Sequence, residues 1–344
     1  MNTAALAPFD ITAWPARLRR LFPGVLASAV VAAAATFLSQ HYGAPVMLFA
    51  LLLGMAMNFL STDGPCAPGI EFTARQVLRI GVALLGLRIT LAQIAELGWH
   101  PVLIVMASVV LTIGLSMLVA RWLGFNTLFG LLSGGATAIC GASAALALAA
   151  ALPAHPQKER ATLFTVVGVS ALSTLAMIVY PMICRALGLD ERAAGVFLGG
   201  TIHDVAQVVG AGYSLSHHTG DVATFVKLMR VAMLLPVIVF AVMLTRKSSG
   251  HEAAQAGPRP PLLPWFAVGF ALLVAFNSSG WCPPVLSALG NDASRWCLVA
   301  AIAAIGMKTQ LRELASVGLK PVLLMLGETV FLALLVLALV RWTG

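Results

Sequence analysis

Charge is scarce in this chain. Asp and Glu number 13 and Lys and Arg 21 in 344 residues, so about 10% of the chain is charged, against about 25% in a soluble domain. With 60% hydrophobic residues and a mean hydropathy of +0.94, no water-soluble fold could hide the apolar surface. Cysteine is sparse too. Cys66, Cys140, Cys184, Cys282 and Cys297 are scattered, with no C-x-x-C pair, which excludes a disulfide or zinc framework. No Walker A motif occurs, so ATP does not drive the protein directly. The formal net charge of +8 would suit nucleic acid. Its basic residues, however, sit in short segments between apolar runs, as the positive-inside bias expects, and a nucleic-acid partner is excluded. Nothing implies a cofactor. The one metal-like group, His217-His218 with Asp221, reads as a solvated turn, so no metal is expected.

What the chain does have is long apolar runs. About eleven fall near 21–40, 44–60, 74–95, 101–122, 127–152, 160–187, 192–213, 222–245, 263–281, 293–312 and 318–342. Runs of about 20 residues suit membrane helices, whereas barrel strands alternate over about 10. The expected fold is therefore an all-α membrane protein of about eleven transmembrane helices. Arg17, Arg19 and Arg20 precede a run from Leu21 to Leu38 that is too long for a signal-peptide core. Residues 1–20 read as a cytoplasmic tail and 21–344 as one polytopic transmembrane domain. Alternation places the loop 246–264, with Arg246, Lys247 and Arg259, in the cytoplasm, and the turn from Arg312 to Lys320 with it. The C-terminus comes out on the far side. Lys158-Glu159-Arg160 also falls outside, against the charge bias.

Residues 81–124 align without a gap to 301–344. Gly86 meets Gly306, Gly98 meets Gly318, Pro101-Val102-Leu103 meets Pro321-Val322-Leu323, and Arg121-Trp122 meets Arg341-Trp342. About thirteen of the 44 positions are identical. An odd number of crossings separates the two copies, which makes them inverted repeats, a transporter architecture with its site at the repeat interface.

Two polar, glycine-rich segments interrupt the apolar pattern. Gly199–Gly212 carries Thr201, His203, Asp204 and Gln207; Gly134–Ala144 carries Gly135, Thr137, Cys140, Gly141 and Ser143. Each opens on a Gly-Gly pair. Ionisable residues at membrane depth face a partner or a water-filled cavity. Glycine admits irregular backbone, so both segments are expected to be interrupted helices that approach one another. Their freed N–H groups would then bind a small anion. Close helix packing through small residues explains the Gly-Ala stretch equally simply. Gln207 follows Asp204 and His203 at helical spacing, forming one polar sector. Lys227 and Arg230 are i,i+3 neighbours that either snorkel or act as counter-charges for Asp204 or an anionic substrate. Glu328 lies deep in the last run. Asp204, His203 and Glu328 are the candidates for coupling to a proton or sodium gradient. Asn58 and Asn277 read as helix-packing hydrogen bonds.

The segments 134–144, 199–212 and 227–236 resemble signature segments of the YeiH-type bacterial inner-membrane proteins, over most of the chain from about residue 20. That family carries a sulfate-exporter label without an established substrate. The resemblance implies a multi-pass inner-membrane protein with a cytoplasmic N-terminus. The expected function is a secondary transporter, not an enzyme, moving a small anion such as sulfate or an organic sulfonate. Its partners are the lipid bilayer, the anion and a coupling ion, with a homo-oligomer open as an assembly. The alternatives are a cation/proton antiporter using Asp204, a passive channel, and an intramembrane enzyme with Cys140, His203 and Asp204 as nucleophile, base and orienter.

Overall fold

The computed structural model describes residues 14–42, 45–62, 64–152, 158–246, 265–309 and 319–343. Every regular element among them is helical. In chain order these are α1 (Trp14–Tyr42), α2 (Val46–Ala56), α3 (Phe59–Thr62), α4 (Ala67–Phe72), α5 (Leu78–Leu84), α6 (Leu91–Glu96), α7 (His100–Trp122), α8 (Thr127–Ala138), α9 (Ala142–Ala151), α10 (Lys158–Ala186), α11 (Glu191–Thr201), α12 (Val205–Leu215), α13 (His217–Ala232), α14 (Leu234–Arg246), α15 (Trp265–Ser278), α16 (Pro284–Lys308) and α17 (Leu319–Thr343). A π-helical turn at Thr73–Val77 joins α4 to α5. Of the expected cytoplasmic segments, residues 1–13 and 247–264 lie outside the described residues.

Among the described residues, five helices are long and apolar enough to cross a membrane: Leu18–Tyr42, His100–Trp122, Arg160–Ala186, His217–Leu244 and Leu319–Trp342. Their outward faces are apolar, with Leu103, Val110, Leu163, Leu175 and Leu334 exposed, and Trp122, Trp281 and Trp342 the most exposed aromatics. Exposed Leu and Trp at this density suit a hydrocarbon surroundings with an interfacial aromatic belt.

The chain divides into two compact units. The first comprises Met1–Ile80 and Trp296–Thr309. In it α1 crosses α4 where Gly24 meets Gly69, so closely that a Cβ on either would overlap the other helix's backbone. Gly54 of α2 and Gly306 of α16 make a second such crossing. Asn58 Nδ2 and Ser61 Oγ donate to the Met307 carbonyl at 2.6 and 2.7 Å, satisfying the end of α16. Glu71 takes Arg75 at 2.5 Å and pairs with Lys308.

The second unit comprises Gly81–Arg295 and Gln310–Gly344. In it each of the two interrupted segments turns back on itself. In the first, α8 and α9 flank a break at Ile139–Gly141, where Gly141 has φ +64°. The Leu148 side chain lies against Gly135, which a continuous path could not bring together, since thirteen residues would separate them along the axis. Phe129 at the start of α8 clusters with Ala161 in the first turn of α10, and Lys158 of that turn donates to the Leu152 carbonyl at the end of α9, at 3.0 Å. Both ends of α8–α9 therefore lie at one level. In the second segment, α11 and α12 flank a break at Ile202–Asp204. Thr219 Oγ1 donates to the Glu191 carbonyl at 3.1 Å, and the Thr219 N–H is capped by Ser216 Oγ at 3.1 Å. That places the first residue of α11 beside the residue that follows α12. Glycines set this packing: Gly195 sits against Val222, Gly199 against Ala223 and Val226, and Gly212 against Gly220. We call the two segments hairpin 1 and hairpin 2.

The same local sequence introduces each hairpin. Arg121-Trp-Leu-Gly124-Phe-Asn126 and Arg185-Ala-Leu-Gly188-Leu-Asp190 stand 64 positions apart, from Gly124 to Gly188. Both glycines adopt positive φ, +81° and +61°. The Phe125 N–H reaches the Ala120 carbonyl at 2.8 Å, and the Leu189 N–H reaches Cys184 at 3.0 Å. These are Schellman stops of α7 and α10. Asn126 and Asp190 then cap α8 and α11.

α17 lies across both hairpins. Ser116 of α7 meets Glu328, and Ala120 clusters with Leu324, so α7 and α17 run antiparallel. At the other end of α17, Arg341 donates to the Leu187 carbonyl at 2.9 Å. Residues 310–318, within the expected repeat copy 301–344, lie outside the described residues.

Candidate functional site

A hairpin buried in an apolar bundle leaves backbone groups without partners at its tip. α8 ends at Ala138 and α11 at Thr201, and each helix end presents carbonyls that no further turn can satisfy. Two cations of α13 satisfy them. Lys227 Nζ donates to Ile139 O at 2.5 Å, His203 O at 2.5 Å and Ile202 O at 3.0 Å. Arg230 donates from Nε to Ala138 O at 2.7 Å, from Nη2 to Thr137 O at 2.9 Å, and from Nη1 to Gly199 O and Ile202 O, each at 3.2 Å. Both side chains are fully buried. Positive charge also suits two converging helix C-termini, which carry partial negative charge.

Neither Lys227 nor Arg230 snorkels. Neither stands within 4 Å of an Asp204 carboxylate oxygen, although Asp204 lies within the field of Lys227. An ammonium has three hydrogens, and all three of Lys227's are used. It has no donor left for an anion and acts on one only through its charge. Arg230 retains one N–H.

The two tips touch. Gly141 lies against His203, where a Cβ would make only ordinary contacts at 3.6 Å, so it is the φ of +64° that calls for glycine. His203 Nδ1 stands 3.0 Å from the Thr137 carbonyl, and Nε2 3.0 Å from Thr329 Oγ1. A carbonyl only accepts, so Nδ1 carries a hydrogen. Thr137 Oγ1 in turn donates to Glu328 Oε2 at 2.9 Å, while Ser116 and Ser133 donate toward Oε1 at 2.5 and 2.8 Å. The neighbours Glu328 and Thr329 thus bind one hairpin tip each.

The remaining expected residues divide. Asp204 caps α12, with Oδ1 accepting from the Ala206 N–H at 2.8 Å, and its own N–H donates to Ser173 Oγ at 3.0 Å. Gln207 accepts from Ser173 at 2.5 Å and donates to Thr174 at 3.0 Å, fastening hairpin 2 to α10. Thr201 is buried and bonds only the Phe197 carbonyl of its own helix, at 2.6 Å. Cys140 is buried in the first break, its thiol against the Ala144 N–H. Gly135 packs within hairpin 1 against Leu148. Ser143 is exposed on the first turn of α9. Neither nitrogen of His203 meets Cys140 or Asp204, so the three do not form a nucleophile, base and orienter.

The sequence reading passed over Ser116, Ser133, Ser173, Thr174 and Thr329. A lone hydroxyl in an apolar helix signals nothing, because it can bond its own helix's carbonyl. The adjacent pair Glu328-Thr329, polar within an apolar run, was the available signal.

His217, His218 and Asp221 lie elsewhere. Arg88 organises them, with Nε 3.0 Å from Asp221 Oδ2 and Nη1 3.2 Å from His217 Nδ1, while Tyr213 donates to Asp221 Oδ1 at 2.5 Å. Among the described residues no group of three or more His, Cys, Asp or Glu stands close enough to hold a metal ion. A cavity of about 230 Å³ opens beside them, at the outer end of hairpin 2, lined by Glu96, Arg192, His218, Asp221 and Phe225 among others.

The role of Asp204 can be tested directly. Asn caps a helix about as well as Asp, whereas Ala costs about 1 kcal/mol. Asp204→Asn is expected to leave the thermal unfolding midpoint of the purified protein nearly unchanged, and Asp204→Ala to lower it. Equal losses in both variants would mean that the charge, not the cap, is what holds the tip.

Comparison with known proteins adds the following. Residues 23–325 match the protein family described as conserved hypothetical protein 698. The chain is 57% identical over 327 residues to a UPF0324 membrane protein of Chlorobaculum tepidum, covering 95% of this chain and 91% of that protein. It is 53% identical over 316 residues to the UPF0324 membrane protein TauZ of Paracoccus denitrificans, covering 92% and 93%. A UPF0324 membrane protein of Pseudomonas aeruginosa is 33% identical over 324 residues, covering 90% of each. No solved structure matches the chain.

Proposed function

This chain belongs to the conserved hypothetical protein 698 (UPF0324) family of membrane proteins, as its segments at 134–144, 199–212 and 227–236 indicated, and from that premise we propose that it is a secondary transporter of a small anion. One observation carries the reading: two hairpins entering from opposite sides meet tip to tip in the buried interior. Irregular backbone at membrane depth persists only where protein or a solvated pathway surrounds it, and secondary transporters place their substrates at such breaks. A static structural bundle has no need of two. The buried Lys227 and Arg230 bias the potential at the tips toward an anion, with sulfate or an organic sulfonate as the candidate class. α12 already carries Asp204 at its N-terminus. α9 starts at Gly141, which has no side chain to cap it, and the Cys140 thiol stands against the Ala144 N–H instead of a carboxylate.

In this reading α1, α2–α3, α4–α5, α7, α10, α13–α14, α15, α16 and α17 each cross once, and the hairpins do not cross. Nine crossings, among the described residues, replace the eleven expected. Residues α7 with hairpin 1 and α10 with hairpin 2 form a second, shorter inverted pair, marked by the 64-position repeat. The bilayer is a bacterial inner membrane, with the N-terminus cytoplasmic and the C-terminus periplasmic. Coupling is to a proton or sodium gradient.

The cation/proton antiporter is the second reading. It needs the Asp204 carboxylate for its ion, and Oδ1 of that carboxylate is already engaged in capping α12. The enzyme reading lacks an assembled triad.

A thermal-stability screen of the purified protein against sulfate, short alkanesulfonates, phosphate, chloride and monovalent cations separates the readings. A ligand at a hundred times its Kd stabilises the folded protein by about 2.7 kcal/mol. The expected result is a raised midpoint with sulfate or a sulfonate, followed by counterflow of the labelled anion in proteoliposomes. Protection by sodium or potassium alone would favour the antiporter.

A further inference from the structure

Glu328 sits where the hydrogens can be counted. Four short contacts surround it and its first partner, each needing one hydrogen, and a longer Ser116–Ser133 contact of 3.3 Å can only compete for the same hydroxyl hydrogens. Ser116 Oγ lies 2.6 Å from the Gly130 carbonyl, and Ser116 Oγ lies 2.5 Å from Glu328 Oε1. Ser133 Oγ lies 2.8 Å from the same Oε1, and Thr137 Oγ1 lies 2.9 Å from Oε2. Three hydroxyls supply three hydrogens, one each. The Gly130 carbonyl can only accept, so it takes the hydrogen of Ser116. Ser133 and Thr137 give theirs to the carboxyl. The contact between Ser116 and Oε1 then has no hydrogen unless the carboxyl brings it. Burial in an apolar bundle without a paired cation points the same way, because a bare carboxylate there has no compensation.

The charges around the site matter for what this proton does. On α8 and the break after it stand Thr137 and Cys140. Hairpin 2 presents His203, through Thr329, and Asp204. α13 presents Lys227 and Arg230, which hold the carbonyls beside Thr137. The charged residues of α7 and α10 (Arg121, Lys158, Glu159, Arg160 and Arg185) lie at helix ends. With a neutral Glu328, the formal charges about the tips are Lys227, Arg230 and Asp204, one positive in sum. With an ionised Glu328 they cancel.

Resting on the transport reading above, we propose that Glu328 is the coupling site, that it holds a proton in the closed-tip state seen here, and that this proton and a substrate anion are bound together. When the proton leaves, to water on the side where the tips open, the carboxylate remains with three hydroxyl hydrogens for four contacts. Either Ser116 drops the Gly130 carbonyl and hairpin 1 loses that tie to α7, or it drops Glu328 and α7 loses its tie to α17. Proton and anion thus load as a pair. The coupling ion is H⁺, and Asp204 is not its carrier.

The test uses the full-length protein reconstituted in lipid. Infrared spectra across pH read the carbonyl stretch of a protonated carboxyl. The expected result is a band present at neutral pH in the wild type, absent in Glu328→Gln, and insensitive to added sodium. Should Glu328→Gln fail to fold, Ser116→Ala is the second probe. It removes the contact that demands the proton, so the band must titrate at a different pH. A Glu328 that shows only carboxylate at neutral pH, or a band that sodium removes at fixed pH, overturns the proposal. These readouts need no substrate and do not depend on whether transport is found. With sulfate as probe, affinity should fall by about tenfold per pH unit once Glu328 titrates, and Glu328→Gln should flatten that dependence. An unchanged pH dependence in Glu328→Gln overturns the proton–anion linkage while leaving the transporter reading standing.

Discussion

Lys227→Met is expected to be the most damaging single substitution in the chain. Methionine matches the aliphatic stem and removes three hydrogen bonds at once. The carbonyls of Ile139 and His203 lose their Lys227 partner, and Ile202 keeps only Arg230. Each buried group left unsatisfied costs about 1–3 kcal/mol, and no water replaces the lost donor deep in the bundle. The expected loss is several kcal/mol, a large part of the total for a typical fold. Arg230→Met removes four bonds, to Thr137, Ala138, Gly199 and Ile202, and should do similar harm. The pair should also fail to add. Both cations hold the same two tips, so once one is gone the second has less to hold, and the double variant should be less destabilised than the sum of the singles. The measurement is thermal unfolding in detergent, with expression level as a parallel readout. Lys227→Met with a wild-type midpoint and lost anion protection would show that Lys227 serves the substrate rather than the tips.

That result would also explain what the sequence reading left out about these residues. Two cations in an apolar run announce a buried negative partner. The obvious negative partners in a sequence are carboxylates, and Asp204 lies only 23 positions away. The partners are backbone carbonyls, which have no letter in a sequence and become negative only where helices end. The breaks themselves were legible, since glycine and polar residues marked both, but their positions were not. The Gly-Gly pairs at 134–135 and 199–200 lie inside α8 and α11, where they let neighbouring helices pack closely, and the chain breaks several residues later. Crossing was not legible either. A hairpin of two 10- to 12-residue arms has the length and hydropathy of one spanning helix. Only the contact of Gly135 with Leu148, or of Glu191 with Thr219, tells them apart. The capped stops at Gly124-Phe-Asn126 and Gly188-Leu-Asp190 were in the sequence, at a spacing shorter than the repeat that was sought.

The hairpins make an all-or-none prediction about sidedness. Crossing helices at 127–152 and 192–213 would put Arg121 and Arg160 on opposite faces of the membrane, and likewise Leu187 and His218. Re-entrant hairpins put each pair on one face. All four side chains are exposed. Cysteines introduced singly there, in a chain otherwise lacking cysteine, can be labelled with a membrane-impermeant thiol reagent in right-side-out and inverted vesicles. Arg121→Cys and Arg160→Cys should label only from the cytoplasmic face, and Leu187→Cys and His218→Cys only from the other. Opposite labelling within either pair would turn that hairpin back into a crossing and remove the tip-to-tip site. The charge distribution already leans toward the hairpins. Lys158-Glu159-Arg160 was the exception to the positive-inside bias when every apolar run was counted as a crossing. With hairpin 1 re-entrant it returns to the cytoplasmic side, with Arg121 and Arg246, while the even number of removed crossings leaves the 246–264 loop and the C-terminus where they were.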